Sequence, residues 1–314
     1  MIITEAIEIF LQAKQADRVS PTTLVWYKKH LKRLEQFLGE MSIDSVRILD
    51  LRRFALALSA QAELYTNHPF HREYVGSLSL ATQQGILRAV RHFFRWLIAE
   101  GCLEVDPTLR LKLPPFPKQP PKGITPDDLR ALLCATEGDV TAHKRDRALL
   151  LFLADTGCRV AGACGLQRSN LDMDRGVALV TEKGNKSRYV LFSEPTALAL
   201  HAWLDECPVH TDWVFPSLMT GVQLQTTSVN CLLTRLKHVA CVTGRCNPHS
   251  FRHAFARQYI INGGDLATLS DLLGHADISV TKQFYARFDI DELRVKHHRF
   301  SPVISLGLNA SSGH

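Results

Sequence analysis

The chain is 314 residues long, with 46% hydrophobic and 22% charged residues, a balance that supports packed cores and excludes a disordered polyelectrolyte. Its net charge of +6 allows a nucleic-acid partner without requiring one, since many enzymes with small substrates are as basic. No apolar run reaches the roughly 18 residues that span a bilayer, and Glu5 and Glu8 interrupt the first segment, so the chain reads as a soluble cytoplasmic protein without a signal peptide or membrane span.

Residues 2–16 place Ile3, Ala6, Ile7, Phe10 and Leu11 at helical spacing. Ser20 and Pro21 open a second helix as cap and first-turn proline. That helix gathers Leu24, Tyr27, Leu31, Leu34 and Leu38 on one face and Lys28, Lys29, Lys32 and Arg33 on another. A third helix is expected from Leu80 to Glu100, capped by Ser79. It turns Ile86, Val90, Phe93, Phe94 and Leu97 inward and Arg88, Arg91, His92 and Arg95 elsewhere. The bland reading of the two basic faces is a solvated helix surface. The sharper one is contact with DNA phosphates. Residues 1–122 hold 17 Lys and Arg against 12 Asp and Glu, a net +5 that is most of the chain's +6 and suits a domain gripping a phosphate backbone.

Residues 111–123 carry five prolines, which exclude helix and give a semi-rigid extended linker. The expected organisation is therefore a helical domain at 1–110, a linker at 111–123, a second domain at 124–300 and a tail at 301–314. Thr125 and Pro126 start a helix in the second domain. Further helices are expected at about 143–156, 194–206, 227–240, 249–262, 265–273 and 278–286. Segments 176–180 and 189–192, rich in β-branched and aromatic residues, read as a hairpin around Lys183, the only clear strands. The fold class is thus mainly α: a helical bundle, then an α+β domain with one small hairpin. Residues 291–295 read as a short amphipathic helix, and the apolar stretch from Val303 to Leu306 docks either within the chain or on a neighbouring copy.

Chemistry concentrates in the last third. His249 and Arg252 stand three residues apart, so on a helix they share a face and reach one phosphate. Pro248 suits the first turn of that helix, whose N-terminus favours an anion. His275 follows Gly274, Tyr285 follows Phe284, and Arg159 lies about ninety residues upstream. A phenol attacking a phosphodiester needs fixed cationic donors for the non-bridging oxygens, which arginine forks supply. It also needs relief of its own proton and an acid for the leaving oxygen. Taken singly, each residue has a bland reading: His249 a structural histidine, Tyr285 a core side chain, Arg159 a salt-bridge partner. Their joint order is what points to phosphoryl transfer.

The runs Thr-Gly-Cys-Arg159, Lys183-Gly-Asn-Lys186, His249-Ser-Phe-Arg252-His, Leu-Gly-His275 and then Tyr285 resemble, in order, the motifs of the tyrosine recombinase or phage integrase family. The resemblance covers about residues 3–300. The first domain is similar to the family's SAM-like core-binding domain through Thr23 to Tyr27 and Phe93 to Leu97. The resemblance implies a site-specific DNA recombinase in which Tyr285 attacks the scissile phosphate and forms a 3′-phosphotyrosyl link. Arg159 and Arg252 would clamp that phosphate, with His249 and His275 bonding it or moving protons. Lys183 would protonate the 5′-oxygen, with Lys186 as the rival lysine and otherwise a DNA contact. No cofactor or metal is implied. The implied partner is double-stranded DNA carrying two recombination sites, bound by a homotetramer that is a monomer or weak oligomer when free, with accessory DNA-bending proteins. Lys28, Lys29, Lys32, Arg88, Arg91 and Arg95 would meet the duplex backbone.

Two departures stand out. The family has an acidic residue three positions after its first arginine, where this chain has Gly162. Tyr285 lies ten residues after His275, one more than expected, with Phe284 at the usual spacing; a one-residue insertion near 280–283 would accommodate it. These departures keep two alternatives open: a DNA-binding member that has lost catalysis, and a type IB topoisomerase-like nicking enzyme. The eight cysteines form no Cys-x-x-Cys pair and read as reduced, mostly core residues, Cys134 among them; Cys241, Cys246 and His249 lack the spacing of the usual zinc sites.

Overall fold

The computed structural model describes residues 1–60, 77–115, 122–182, 184 and 186–274, the backbone of 63–64 and 74–75, and Ile290 and Arg294. The chain divides into two compact units, Met1–Lys118 and Gln119–His314.

The first unit begins with α1 (Ile3–Ala16), whose Ile3, Ala6, Ile7 and Phe10 are buried at the spacing of one helical face. α2 (Pro21–Leu38) starts where the Ser20 hydroxyl accepts from the Thr23 N–H at 3.3 Å, with Pro21 in the first turn. Such a cap contributes about 1 kcal/mol. α3 (Ile48–Ala60) buries Leu51, Phe54 and Leu58. A short antiparallel pair, β1 (Glu63–Leu64) with β2 (Tyr74–Val75), precedes α4 (Leu80–Ala99). Capped by Ser79, α4 buries Ile86, Val90, Phe93, Phe94 and Leu97 completely. Phe10 is the hub of this core, edge-on to Tyr27, Phe93 and Trp96 at 5.1–5.6 Å between centroids. Leu111 is buried in the same cluster, and Leu113 packs against it, so the start of the proline-rich stretch is anchored. Residues 116–121 lie outside the described part.

The second unit opens with α5 (Pro126–Cys134), capped by Thr125, which accepts from the Asp128 N–H at 3.1 Å. It continues with α6 (Thr141–Thr156) and α7 (Val160–Cys164). A three-stranded antiparallel sheet follows, β3 (Leu171–Asp172), β4 (Val177–Glu182) and β5 (Lys186–Leu191), in that order across the sheet. Helices α8 (Glu194–Leu204), α9 (Thr226–Val239), α10 (Pro248–Ile261) and α11 (Leu266–Leu273) complete it. The core joins Leu149, Phe152, Leu153, Trp203, Phe215 and Phe251. The Trp203 indole N–H donates to the Val214 carbonyl at 2.7 Å, satisfying the one polar atom that this large side chain buries. Fully buried Asp146 is held by Arg145 at 2.6 Å and by Arg235 at 3.0 Å, which ties α6 to α9.

The sequence expectations need four corrections. α3 and α7 are helices that the apolar pattern does not reveal, and β3 adds a third strand to the expected hairpin. The hairpin arms run further toward the turn, to Glu182 and from Lys186: the ladder continues through the pairs Thr181–Ser187 and Glu182–Lys186, and on β4 exposed Thr181 sits between buried Val180 and Glu182. Cysteines are less buried than expected: Cys158 and Cys164 are core, whereas Cys102, Cys134, Cys231 and Cys241 are exposed. Cys134 ends α5 on the side away from buried Leu132. The helix expected at 278–286, the loop at 280–283 and the segments 291–295 and 301–314 fall almost wholly outside the described residues.

Candidate active site

Two glycines shape the frame. α6 ends at Gly157 with φ +56°, and α11 ends at Gly274 with φ +64°, both in the left-handed region. A Cβ on Gly157 would strike the Phe255 ring, and one on Gly274 would lie 2.6 Å from Cδ of Arg188. Both positions therefore need glycine for space as well as for backbone angle. The first turn leads into Arg159; the second leads to residue 275.

Arg252, on the second turn of α10, joins these two turns. It is 5% exposed. Its Nη1 donates to the Gly157 carbonyl at 2.8 Å and its Nη2 to the Leu273 carbonyl at 2.7 Å. Residues 95 and 21 positions away in sequence are thus tied to one guanidinium. Bonds to neutral carbonyls fix the plane of that fork without cancelling its charge.

Arg159 is the N-cap residue of α7. Its backbone N–H donates to Oε1 of Glu182 at 2.8 Å, and its guanidinium pairs with Oε2 of the same carboxylate. Arg188 on β5 donates to Glu182 Oε1 at 3.1 Å and also to the Leu272 carbonyl. Glu182 is 8% exposed. Burial alone would raise its carboxyl, but the Arg159 N–H and the charges of Arg188 and Arg159 outweigh burial and hold it below the usual carboxylate range.

His249 is exposed at the second position of α10. That helix starts with Pro248 and with a reciprocal cap: Asn247 Oδ1 accepts from the Ser250 N–H at 3.0 Å, and the Ser250 hydroxyl accepts from the Asn247 N–H at 3.0 Å. His253 lies one turn on. Burial, reinforced by His249, Arg252 and Arg245, pushes its imidazole down to about 4, so it is neutral at neutral pH. A cleft of ≈ 580 Å³ opens at this helix start, lined by Lys122, Val160, Asn230, Arg245, His249 and His253. Its walls are cationic and amide-bearing, suited to an anion.

Of the residues expected at the site, Arg159, His249 and Arg252 are described, and the α6, α10 and α11 turns bring their segments together. Lys183, His275 and Tyr285 lie outside the described residues. Lys186 is exposed at the head of β5, directly across the sheet from Glu182. In the first unit Lys28, Lys29, Lys32, Arg88 and Arg95 are exposed, while Arg91 is half-buried and donates to the Leu111 carbonyl. Sequence reasoning overlooked Glu182, Arg188, Arg245 and Lys122. For Glu182 a signal existed: it is an acidic residue directly before Lys183, at the end of the expected hairpin. Among the described residues, no three His, Cys, Asp or Glu side chains cluster closely enough to share a metal ion.

Residues 122–291 match the family described as Phage integrase family, and residues 7–101 match the Phage integrase, N-terminal SAM-like domain. Tyrosine recombinase XerD of Yersinia pestis is 31% identical over 313 residues, covering 94% of this chain and 97% of that protein. Tyrosine recombinase XerC of Alcanivorax borkumensis is 30% identical over 282 residues, 88% of this chain and 86% of that one. Among solved structures, the Tn1549 transposon integrase in complex with a circular intermediate DNA superposes with a TM-score of 0.75 at 19% identity, covering 96% of this chain and all of that one, a likeness of fold. The chain belongs to the phage integrase family, as a tyrosine recombinase of the Xer-like, two-domain type.

Proposed function

We propose that this recombinase cuts and rejoins duplex DNA at two recombination sites, with Tyr285 as nucleophile. Its phenolic oxygen attacks the scissile phosphorus, the bond to the 5′-oxygen breaks, and a 3′-phosphotyrosyl link forms. Lys183 gives its proton to the leaving 5′-oxygen, with Lys186 as the alternative donor. Arg159 and Arg252 stabilise the charge that grows on the non-bridging oxygens, and His249 and His275 bond the phosphate or carry protons. The covalent link conserves the bond energy, so a 5′-hydroxyl from the partner strand reverses the step without nucleotide or metal. Lys28, Lys29, Lys32, Arg88, Arg91, Arg95 and Lys186 hold the backbone of the duplex. The working assembly is a homotetramer on two sites in the cytoplasm, assisted by DNA-bending proteins, and the free protein is a monomer or weak oligomer. The observation that carries the reading is the pair of Arg252 bonds, which draws the turn before Arg159 and the end of α11 before His275 onto the helix that bears His249.

The test uses duplexes selected by the wild-type protein from a randomised pool, remade with a nick beside the presumed cleavage point so that the covalent complex is trapped. Wild type is expected to give an SDS-resistant protein–DNA band. Tyr285→Phe is expected to give none, with DNA affinity within about twofold, because the hydroxyl contributes to chemistry and not to backbone contacts. An equal band from the mutant would reject Tyr285. No band from wild type on DNA it binds would make the chain a catalytically silent binder.

A further inference from the structure

The start of α7 poses a problem of local chemistry. A helix N-cap N–H is commonly taken by a Glu or Gln side chain at the third helical position, the reciprocal arm of a capping box. Here the N-cap is Arg159 and the third position is Gly162, which has no side chain to offer. The N–H is nonetheless satisfied, by Glu182 reaching across from the end of β4 at 2.8 Å. The space fits the exchange: a Cβ built on Gly162 would meet Glu182 Cγ and Val180 Cβ, each at 3.3 Å, so a side chain at 162 and the glutamate at 182 compete for one volume. The same carboxylate pairs with the Arg159 guanidinium and with Arg188, which in turn holds the Leu272 carbonyl, three residues before His275.

We infer that Glu182 is the positioning residue of the phosphate clamp, supplying from the sheet the carboxylate that position 162 lacks, so that glycine at 162 and glutamate at 182 act as a linked pair. The inference rests on the reading of Arg159 as a phosphate ligand. Glu182 meets no substrate itself. It fixes the backbone and guanidinium of Arg159 and, through Arg188, the end of α11. Its carboxylate is nearly buried, and the Arg159 N–H with the charges of Arg188 and Arg159 holds it below the usual carboxylate range. Gly162 is therefore no sign of a decayed site, since the acid has moved to the neighbouring strand.

The experiment relocates the carboxylate. Wild type, Glu182→Gly, Gly162→Glu and the double variant are compared by single-turnover covalent capture on the nicked selected duplex, at saturating DNA, alongside melting temperature and DNA affinity. Glu182→Gly is expected to slow capture about 100-fold, the order of loss that a misplaced reacting or clamping group causes, while affinity stays within a few-fold. Gly162→Glu alone is expected to slow it as well, because the new side chain crowds Glu182. The double variant, with the carboxylate now on α7, is expected to recover to within a few-fold of wild type. That recovery is a readout that a purely stabilising ion pair would not give. If Glu182→Gly does not fold but the double variant folds and cleaves, the inference also stands. Normal capture by Glu182→Gly, a double variant no faster than Glu182→Gly, or loss of folding in both would overturn it and assign Glu182 to the fold alone. Absence of capture by wild type would strike the recombinase reading first and take this inference with it.

Discussion

Arg252 and Arg159 carry the same charge in different settings, and substitution should separate them. Arg252 is buried and satisfies the carbonyls of Gly157 and Leu273. Arg252→Ala leaves both oxygens without that donor, at a cost of about 1–3 kcal/mol for each if it stays buried and unpaired. The expected result is a lower melting temperature together with cleavage slowed by a factor of about 10²–10³, the usual loss for one transition-state donor. The Arg159 side chain is 37% exposed, and Glu182 keeps Arg188 and the Arg159 backbone N–H when it is removed. Arg159→Ala should therefore lose cleavage to a similar degree with a smaller change in melting. Calorimetry beside single-turnover rates decides the matter; an Arg252→Ala protein that melts and cleaves like wild type would move the clamp elsewhere. The buried thiols near the site are held protonated: burial pushes Cys158 up to about 11, against partial relief from Thr156 and Arg188, and Cys164 up to about 12.

At the scale of elements, the basic faces of α2 and α4 are the part of the first unit most open to test. Lys28, Lys29 and Lys32 are exposed on one, Arg88 and Arg95 on the other. DNA affinity is expected to fall steeply with salt, and each phosphate contact removed should flatten the log–log slope by about 0.9. Lys28→Ala/Lys29→Ala/Lys32→Ala should lower that slope by about 2–3 if all three contact phosphate; an unchanged slope would return the face to simple solvation. These helices were legible in sequence because their apolar residues keep a strict helical period and their caps are serines in place before α2 and α4. α3 was not, since exposed Leu49 and Leu56 fill in the polar side of the pattern and blur the period. α7 is only five residues of small side chains, too short for a period, and β3 is two residues long. The candidate side chains of the site could be named from their order and from the family whose motifs they resemble, but Glu182 and Arg188 could not be read as partners of Arg159. Their pairing comes from the β4–β5 register, which sets Val180 opposite Arg188 and Glu182 opposite Lys186. It comes also from the packing of α7 on β4, a long-range fact that no local pattern contains.

Over the whole molecule, two histidines set a common response to acid. In the first unit His30 is nearly buried, and burial together with Lys29 and Arg33 lowers its imidazole; in the second, burial with His249, Arg252 and Arg245 pushes His253 down to about 4. Each binds its proton more readily when unfolded, at about 6.5, so stability is full above that value and falls as pH drops below it. Glu182, held low, adds a further loss only as pH falls below the usual carboxylate range. Urea midpoints are therefore expected to be lower at pH 5.0 than at pH 7.5, and His253→Asn should lessen that difference; equal midpoints at the two pH values would contradict the burial of both rings. The account as a whole turns on one covalent bond. The most direct measurement is to trap wild-type protein on the nicked selected duplex, digest both components, and locate the nucleotide remnant by mass spectrometry. The expected result is a phosphotyrosyl adduct on the peptide bearing Tyr285, with the other five tyrosines unmodified. An adduct on any other residue would contradict the account.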